Sequence, residues 1–241
     1  MSIPILAIPE YTVKLYSLPK PVKIRPYLVG EEKILMLAQQ GEDPKEIRNA
    51  VEQILRICTF EKVDISKLPS FDLEYLYLQL RAKSVNNIVQ VNYRCRNRPV
   101  DGEAECGNVV PVNIDLNTIA FKTVPEHTNK IWLNDQVGVT LAYPSKEIIE
   151  HVQAQNGVFG IDLLVGCLRT IFTKAGEVHE VSEADPAEIE KFIASLSVSQ
   201  FAKVQTFFDT MPTLTHSVAF ECKKCGFKQD LVVSGLMDFF V

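Results

Sequence analysis

The chain has 241 residues, 46% of them hydrophobic and 23% charged, with a net charge of −5 and a pI near 5.5. This length allows one sizeable core or two modest ones, and the composition excludes disorder as the default reading. The acidic balance argues against broad electrostatic binding to nucleic acid, and no run of about 18 apolar residues offers a transmembrane helix.

From the N-terminus, Met1 to Glu10 is apolar but short. Pro4 and Pro9 interrupt it and no positive segment precedes it, so it does not read as a signal peptide and the protein is expected in the cytoplasm when made. Residues 11–28 alternate apolar and polar around a Ser17-Leu-Pro-Lys-Pro turn, which predicts a hairpin. Glu31 to Gln40 predicts a short helix. Asp43 followed by Pro44 marks the start of the next, with Ile47, Val51, Ile54, Leu55 and Cys58 on its buried stripe. A third helix starts at Ser70 and carries Leu73, Leu76, Leu80 and Ala82.

From about residue 88 the apolar period becomes two. Strands are expected over Ile88 to Cys95, Asn108 to Leu116, Ile119 to Val124 and Val137 to Tyr143. Helices follow from Pro144 and over Ile161 to Cys167, the latter placing Cys167 in a core. A hairpin is expected around Thr173-Lys-Ala-Gly. Asp185 caps a helix buried through Phe192, Ile193 and Leu196, and a last helix from Ser197 ends before Pro212. A hairpin over 215–233 and the apolar tail Leu236 to Val241 complete the chain.

An internal repeat carries the chemistry. Val91-Asn-Tyr-Arg-Cys95, a ten-residue gap and Cys106-Gly-Asn-Val-Val-Pro-Val form the first copy. Val218-Ala-Phe-Glu-Cys222-Lys-Lys-Cys225-Gly-Phe form the second. Each is a strand, a cysteine pair with glycine directly after its second member, and a return strand. That is the shape of a zinc knuckle, and two knuckles facing each other make a closed four-cysteine structural site. Cys95, Cys106, Cys222 and Cys225 are therefore the candidate ligands of a structural zinc ion, with residues 96–105 bulging out as a loop turned by Pro99 and Asp101-Gly102. Such a zinc would staple the middle of the chain to its C-terminus across about 115 intervening residues. Two readings stand beside it: cysteines that are reduced or buried without metal, and a disulfide or redox role for Cys222 and Cys225. A redox pair of the thioredoxin type sits at a helix N-terminus rather than in a hairpin. A closed four-cysteine site has no open position for substrate, so a zinc hydrolase is not expected.

The chain resembles the hub or hub-assembly baseplate proteins of T-even-like contractile-tailed bacteriophages. The residues that carry the resemblance include Ile24-Arg-Pro-Tyr-Leu-Val-Gly-Glu-Glu, Phe71-Asp-Leu-Glu-Tyr-Leu, Leu80-Arg-Ala-Lys-Ser84, the first cysteine hairpin and Met211-Pro-Thr-Leu-Thr-His through the second. The first cysteine pair is longer than the tight pair typical of the family. The resemblance implies a structural or assembly role with no catalytic activity, and other baseplate hub and tail proteins as partners. It also implies a place in the virion tail baseplate, and in the host cytoplasm during assembly; self-association is left open.

No phosphate loop, His-Glu-x-x-His or Gly-x-Ser-x-Gly motif is present. Glu31 and Glu32 read as solvated helix ends. His216 is a weak candidate for a ligand or second-sphere partner, while His127, His151 and His179 carry no motif. Arg81 and Lys83 suit a helix C-terminus, and the sharper reading sends Arg81 to a partner chain or an acidic neighbour. Phe239-Phe240-Val241 is either core or an adhesive end. The alternative function is a zinc-ribbon nucleic-acid-binding protein. It would use Arg94, Arg96, Arg98, Lys223, Lys224 and Lys228 as a basic patch, with Tyr93, Phe220 and Phe227 available to stack. The expected architecture is α+β: an N-terminal hairpin and helical region over 1–87, then a zinc-ribbon-like β region over 88–241. In the latter, 88–116 and 215–235 form the ribbon and 117–214 is an inserted α/β segment.

Overall fold

The fold is described from a computed structural model, for residues 6–41, 43–98, 104–154 and 159–234. Pro99, Asp101, Gly102 and the tail from Leu236 to Val241, including Phe239-Phe240-Val241, lie outside the described residues. The chain mixes helices and strands in two compact units. One comprises Met1–Ile65, Phe71–Lys122 and Leu214–Val241, and the other Ser66–Ser70 and Thr123–Thr213.

In the first unit, β1 (Tyr11–Val13) pairs antiparallel with β2 (Val22–Ile24), with Tyr11 opposite Ile24, as the alternation predicts. The helix α1 (Val29–Gln40) begins two residues earlier than expected. Glu31 reaches back to the Leu28 N–H at 2.6 Å and is gripped by both terminal nitrogens of Arg25, at 2.6 and 3.0 Å. The reading of Glu31 as a solvated helix end is thus corrected: its side chain is only 14% exposed. The Arg25 pair holds its carboxyl below the usual carboxylate range, against the opposing effect of burial.

The helix α2 (Pro44–Cys58) starts where Asp43 and Pro44 predict, with Asp43 Oδ1 accepting the Lys45 N–H at 2.9 Å. Its stripe of Ile47, Val51, Ile54, Leu55 and Cys58 is buried, and Ala50 joins it. Burial pushes the Cys58 thiol up to about 12, the behaviour of an inert core cysteine. The helix α3 (Ser70–Ser84) is buried on more than the one face that its Leu73, Leu76 and Leu80 suggest. Phe71, Asp72, Tyr77 and Leu78 are buried as well, which makes it the central helix of the unit. The buried Asp72 carboxylate accepts the Tyr16 and Ser17 N–H groups, each at 2.8 Å, and so clamps the first hairpin to this helix. Arg81 lies near the phenols of Tyr77 and Tyr27, and Lys83 lies over the Tyr11 ring at 5.8 Å.

The strands β3 (Ile88–Arg94) and β4 (Val109–Asp115) form an antiparallel ladder, and β5 (Phe121–Lys122) follows. The second unit holds a four-stranded sheet in the order β6 (Lys130–Trp132), β7 (Val137–Leu141), β8 (Leu168–Thr173), β9 (Val178–Glu180). Its helices are α4 (Lys146–Ala154), α5 (Phe159–Cys167), α6 (Pro186–Ala194) and α7 (Val198–Asp209). Asp185 caps α6 as expected, and Ser197 caps α7 in a reciprocal box with Gln200. Leu141, Leu164, Leu168, Ile193, Val204 and Phe207 belong to one core in which sheet and helices meet. Ile189, not Leu196, shares the deeply buried face of α6 with Ile193. Cys167 is fully buried, with its thiol pushed up to about 12 by burial. Back in the first unit, β10 (Thr213–Glu221) pairs with β11 (Lys228–Ser234), and β10 also borders β5, in the order β11-β10-β5. No helix among the described residues is long and apolar enough to cross a membrane.

Candidate metal centre

Both cysteine hairpins are built to the same plan. The β3–β4 ladder ends at the pair Arg94 and Val109. Beyond it the Cys95 N–H donates to the Asn108 carbonyl at 2.8 Å, and the Gly107 N–H to the Cys95 carbonyl at 3.0 Å. The β10–β11 ladder ends at Glu221 and Lys228. There the Cys222 N–H donates to the Phe227 carbonyl at 2.9 Å, and the Gly226 N–H to the Cys222 carbonyl at 2.8 Å. Gly107 and Gly226 have φ of 65° and 71°, the left-handed region that glycine enters without penalty.

The long gap of the first hairpin does not disturb this plan, because the Cys106 N–H donates to the Asn97 carbonyl at 2.8 Å. That bond closes the base of the loop, as does a 3.7 Å ion pair between Arg98 and Glu105. Cys95, Arg96, Asn97 and Cys106 therefore trace the same turn as Cys222, Lys223, Lys224 and Cys225, with residues 98–105 looped out between its third and fourth members.

The two hairpins bring four thiols together. The Sγ atoms of Cys95, Cys106, Cys222 and Cys225 all lie within 4.8 Å of one another. Cys95 and Cys225 are 3.7 Å apart, and Cys106 and Cys222 are 3.8 Å apart. Four sulfurs bound tetrahedrally to zinc at about 2.3 Å would be separated by about 3.8 Å, so the donor set fits a tetrahedral thiophilic ion. Two amides that the cysteine pattern did not flag bridge the hairpins. Asn97 Nδ2 points to Cys225 Sγ at 3.7 Å and Asn108 Nδ2 to Cys222 Sγ at 3.5 Å. Each stands two residues after a cysteine of the first hairpin, the only local signal of its role. Lys224 Nζ returns the contact, donating to the Cys106 carbonyl at 3.3 Å.

Burial works against the Cys222 thiolate. The backbone N–H groups of Cys225 and Lys224 and the Asn108 amide overcome it and bring the thiol down to about 6. Burial pushes Cys95 up to about 12. Beneath the sulfurs, Val112, Phe220 and Tyr93 pack as a small core, with the Tyr93 and Phe220 rings edge to face at 4.8 Å.

His216 does not belong to this constellation. It lies on β10 six residues before Cys222, roughly 20 Å away at the rise of a strand, and its charge neighbour is Asp115. The residues expected to stack on nucleic acid pack within the ribbon: Phe220 is 2% exposed, the Tyr93 hydroxyl accepts the Gln229 amide at 2.8 Å, and the half-buried Phe227 lies against the same small core. Of the cations, Arg98 and Lys228 pair with Glu105 and Glu221.

The chain is a mixed helix-and-strand protein whose four thiols gather between two hairpins. The profile of the family described as T4 bacteriophage base plate protein matches residues 8–241, and the chain belongs to that family. It is 22% identical over 233 residues to the baseplate hub assembly protein gp26 of Enterobacteria phage T4, covering 96% of this chain and 98% of that protein. No solved structure matches the chain. Family membership places the protein at the phage tail baseplate and supports a structural role there.

Proposed function

We propose that the chain builds or assembles the hub of a contractile phage tail baseplate through contacts with other hub and tail proteins. In this reading a zinc ion held by Cys95, Cys106, Cys222 and Cys225 keeps its shape. The observation that carries the assembly role is the family match across nearly the whole chain. The metal is supported by sulfur separations of 3.7 and 3.8 Å, close to the edge of a zinc–thiolate tetrahedron. In this arrangement 88–116 and 215–235 act as one ribbon, and 117–214 is carried as an insertion.

A closed four-thiolate zinc would have no position left for water or substrate, so its work would be structural. It would hold together hairpins about 115 residues apart in sequence, supplying on the order of 10 kcal/mol where small cores supply little. The Asn97 and Asn108 amides would orient and partly neutralise the thiolates.

The deciding measurement is metal content of the purified native chain by mass spectrometry, repeated for Cys95→Ser, Cys106→Ser, Cys222→Ser and Cys225→Ser. One zinc per chain is expected, lost in every variant, with Cys222→Ser and Cys225→Ser insoluble or metal-free. A metal-free native chain, or soluble zinc-loaded variants, would refute the ligand assignment. For the assembly role, phage lacking the chain should accumulate tail parts without baseplates in electron micrographs. Normal baseplates in its absence would refute it.

A further inference from the structure

The second unit carries an open groove of about 870 Å³ between α4, α5 and α6. Its floor is aliphatic, formed by Ile148, Ile161, Val165 and Ile193. Ile161 and Val165 are 41% and 39% exposed, though both sit on a strongly apolar helix. Gly166 sets the close spacing of the two helices that wall it. A Cβ at Gly166 would stand 2.7 Å from Ile148 Cγ2, so the glycine lets α4 and α5 approach while the residues beside it face outward.

The rim is predominantly acidic. Glu147 on α4, Asp162 on α5 and Glu190 on α6 line it beside His151 of α4, and no lysine or arginine does so among the described residues. Lys146, at the start of α4, pairs with Glu150 at 3.7 Å. One rim acceptor is unfilled: Asp162 Oδ2 is buried from solvent and accepts no hydrogen bond among the described residues. A buried carboxylate oxygen without a donor is costly, and a cation delivered with a partner would remove that cost.

From the aliphatic floor, the acidic rim and the unfilled acceptor, we infer that this groove docks an amphipathic helix of another protein. That helix would place aliphatic side chains at i, i+3 or i+4 and i+7 on the floor, with Lys or Arg flanking them. Apolar contact supplies the area, and the three carboxylates select a basic helix over an acidic one. The inference names a kind of partner for the assembly role and rests on that reading. Its test uses no phage component, so a negative result would leave the assembly role standing.

The full chain is titrated with a fluorescein-labelled synthetic peptide of about 15 residues bearing Leu on one helical face and Lys on the other. Anisotropy is read at about 0.15 M salt, which screens long-range attraction. A matched peptide with Glu for every Lys is the comparison. The Lys peptide is expected to bind and the Glu peptide not. Val165→Asp should weaken binding about tenfold or more, although it adds a negative charge that would strengthen any attraction to the chain at large. Glu147→Lys combined with Glu190→Lys should also weaken it, and should admit the Glu peptide. If Val165→Asp loses its circular dichroism spectrum, the charge-reversed pair decides alone, since both its positions are exposed. The inference is overturned if neither peptide binds, or if both variants bind the Lys peptide as the native chain does. It is also overturned if light scattering shows a dimer that these substitutions dissociate, because a second copy would then occupy the groove.

Discussion

The Asn97 carbonyl accepts the Cys106 N–H at 2.8 Å, and this single bond converts a ten-residue cysteine spacing into the turn that two residues make at Cys222 and Cys225. Joining Asn97 directly to Cys106 by deleting residues 98–105 should leave the folded chain and any bound metal in place, while removing the exposed Arg98–Glu105 pair. Equal zinc stoichiometry and an unchanged melting temperature are expected. Loss of metal on deletion would show that the loop shapes the site.

The glycines that close the two turns should be favoured there for backbone reasons alone. Among the described residues no atom beyond the chain neighbours lies within 4 Å of a Cβ built at Gly226, and the nearest to one at Gly107 is the Glu105 carbonyl at 3.7 Å. With φ of 65° and 71°, alanine at either position should cost about 1–2 kcal/mol without any steric clash. Asparagine should cost less than alanine at both. Urea midpoints and the rate of zinc loss to a chelator measure this, and an alanine variant as stable as the native chain would contradict it.

How far these features can be read from sequence follows the distance over which they are encoded. The start of α2 at Asp43-Pro44 and its stripe from Ile47 to Cys58 are local, and they are legible because capping and helical period are local rules. The cysteine hairpins are legible because the second copy explains the first. The Asn97–Cys106 closure is not, since nothing in residues 96–105 says where the loop pinches shut. Strand β6 is three residues long, too short to show a period, and was not anticipated. The α3 helix reads as one-sided because Phe71 and Leu78 fall off the leucine stripe. They are buried because the first unit surrounds that helix, which only tertiary structure reveals. Glu31 resembles any acidic first-turn residue until Arg25, six positions earlier, is seen to grip it.

Asp72 is the least predictable of the structural residues, accepting N–H groups 55 and 56 positions away in sequence. Asp72→Ala would leave the Tyr16 and Ser17 donors unfilled and remove two charge-assisted bonds, at an expected cost of about 3 kcal/mol. Asp72→Asn keeps one carbonyl acceptor and should fall between the two. Equilibrium urea unfolding is the measurement. An alanine variant within about 0.5 kcal/mol of the native chain would show that the clamp contributes little.

Acid stability should report on two groups in separate windows. The Glu31 carboxyl is held below its ordinary 4.5 mainly by the Arg25 hydrogen bond. A depressed carboxyl stabilises the fold fully above that ordinary value, and the contribution is lost as pH falls through the lower folded value. Glu31→Gln should therefore flatten the stability profile below about pH 4.5 and leave its slope near neutrality unchanged. His127 acts higher. Its ring lies between Thr210 Oγ1 and the Tyr143 hydroxyl, each at 2.9 Å, and stacks on Phe207, with burial holding it below its ordinary 6.5. The unfolded chain then binds a proton before the folded one, so stability should start to fall as pH drops through about 6.5. His127→Gln should remove that early decline while keeping the one below about pH 4.5. Melting temperatures measured from pH 3 to 8 separate the two, and a single decline shared by both variants would mean that neither group governs acid stability.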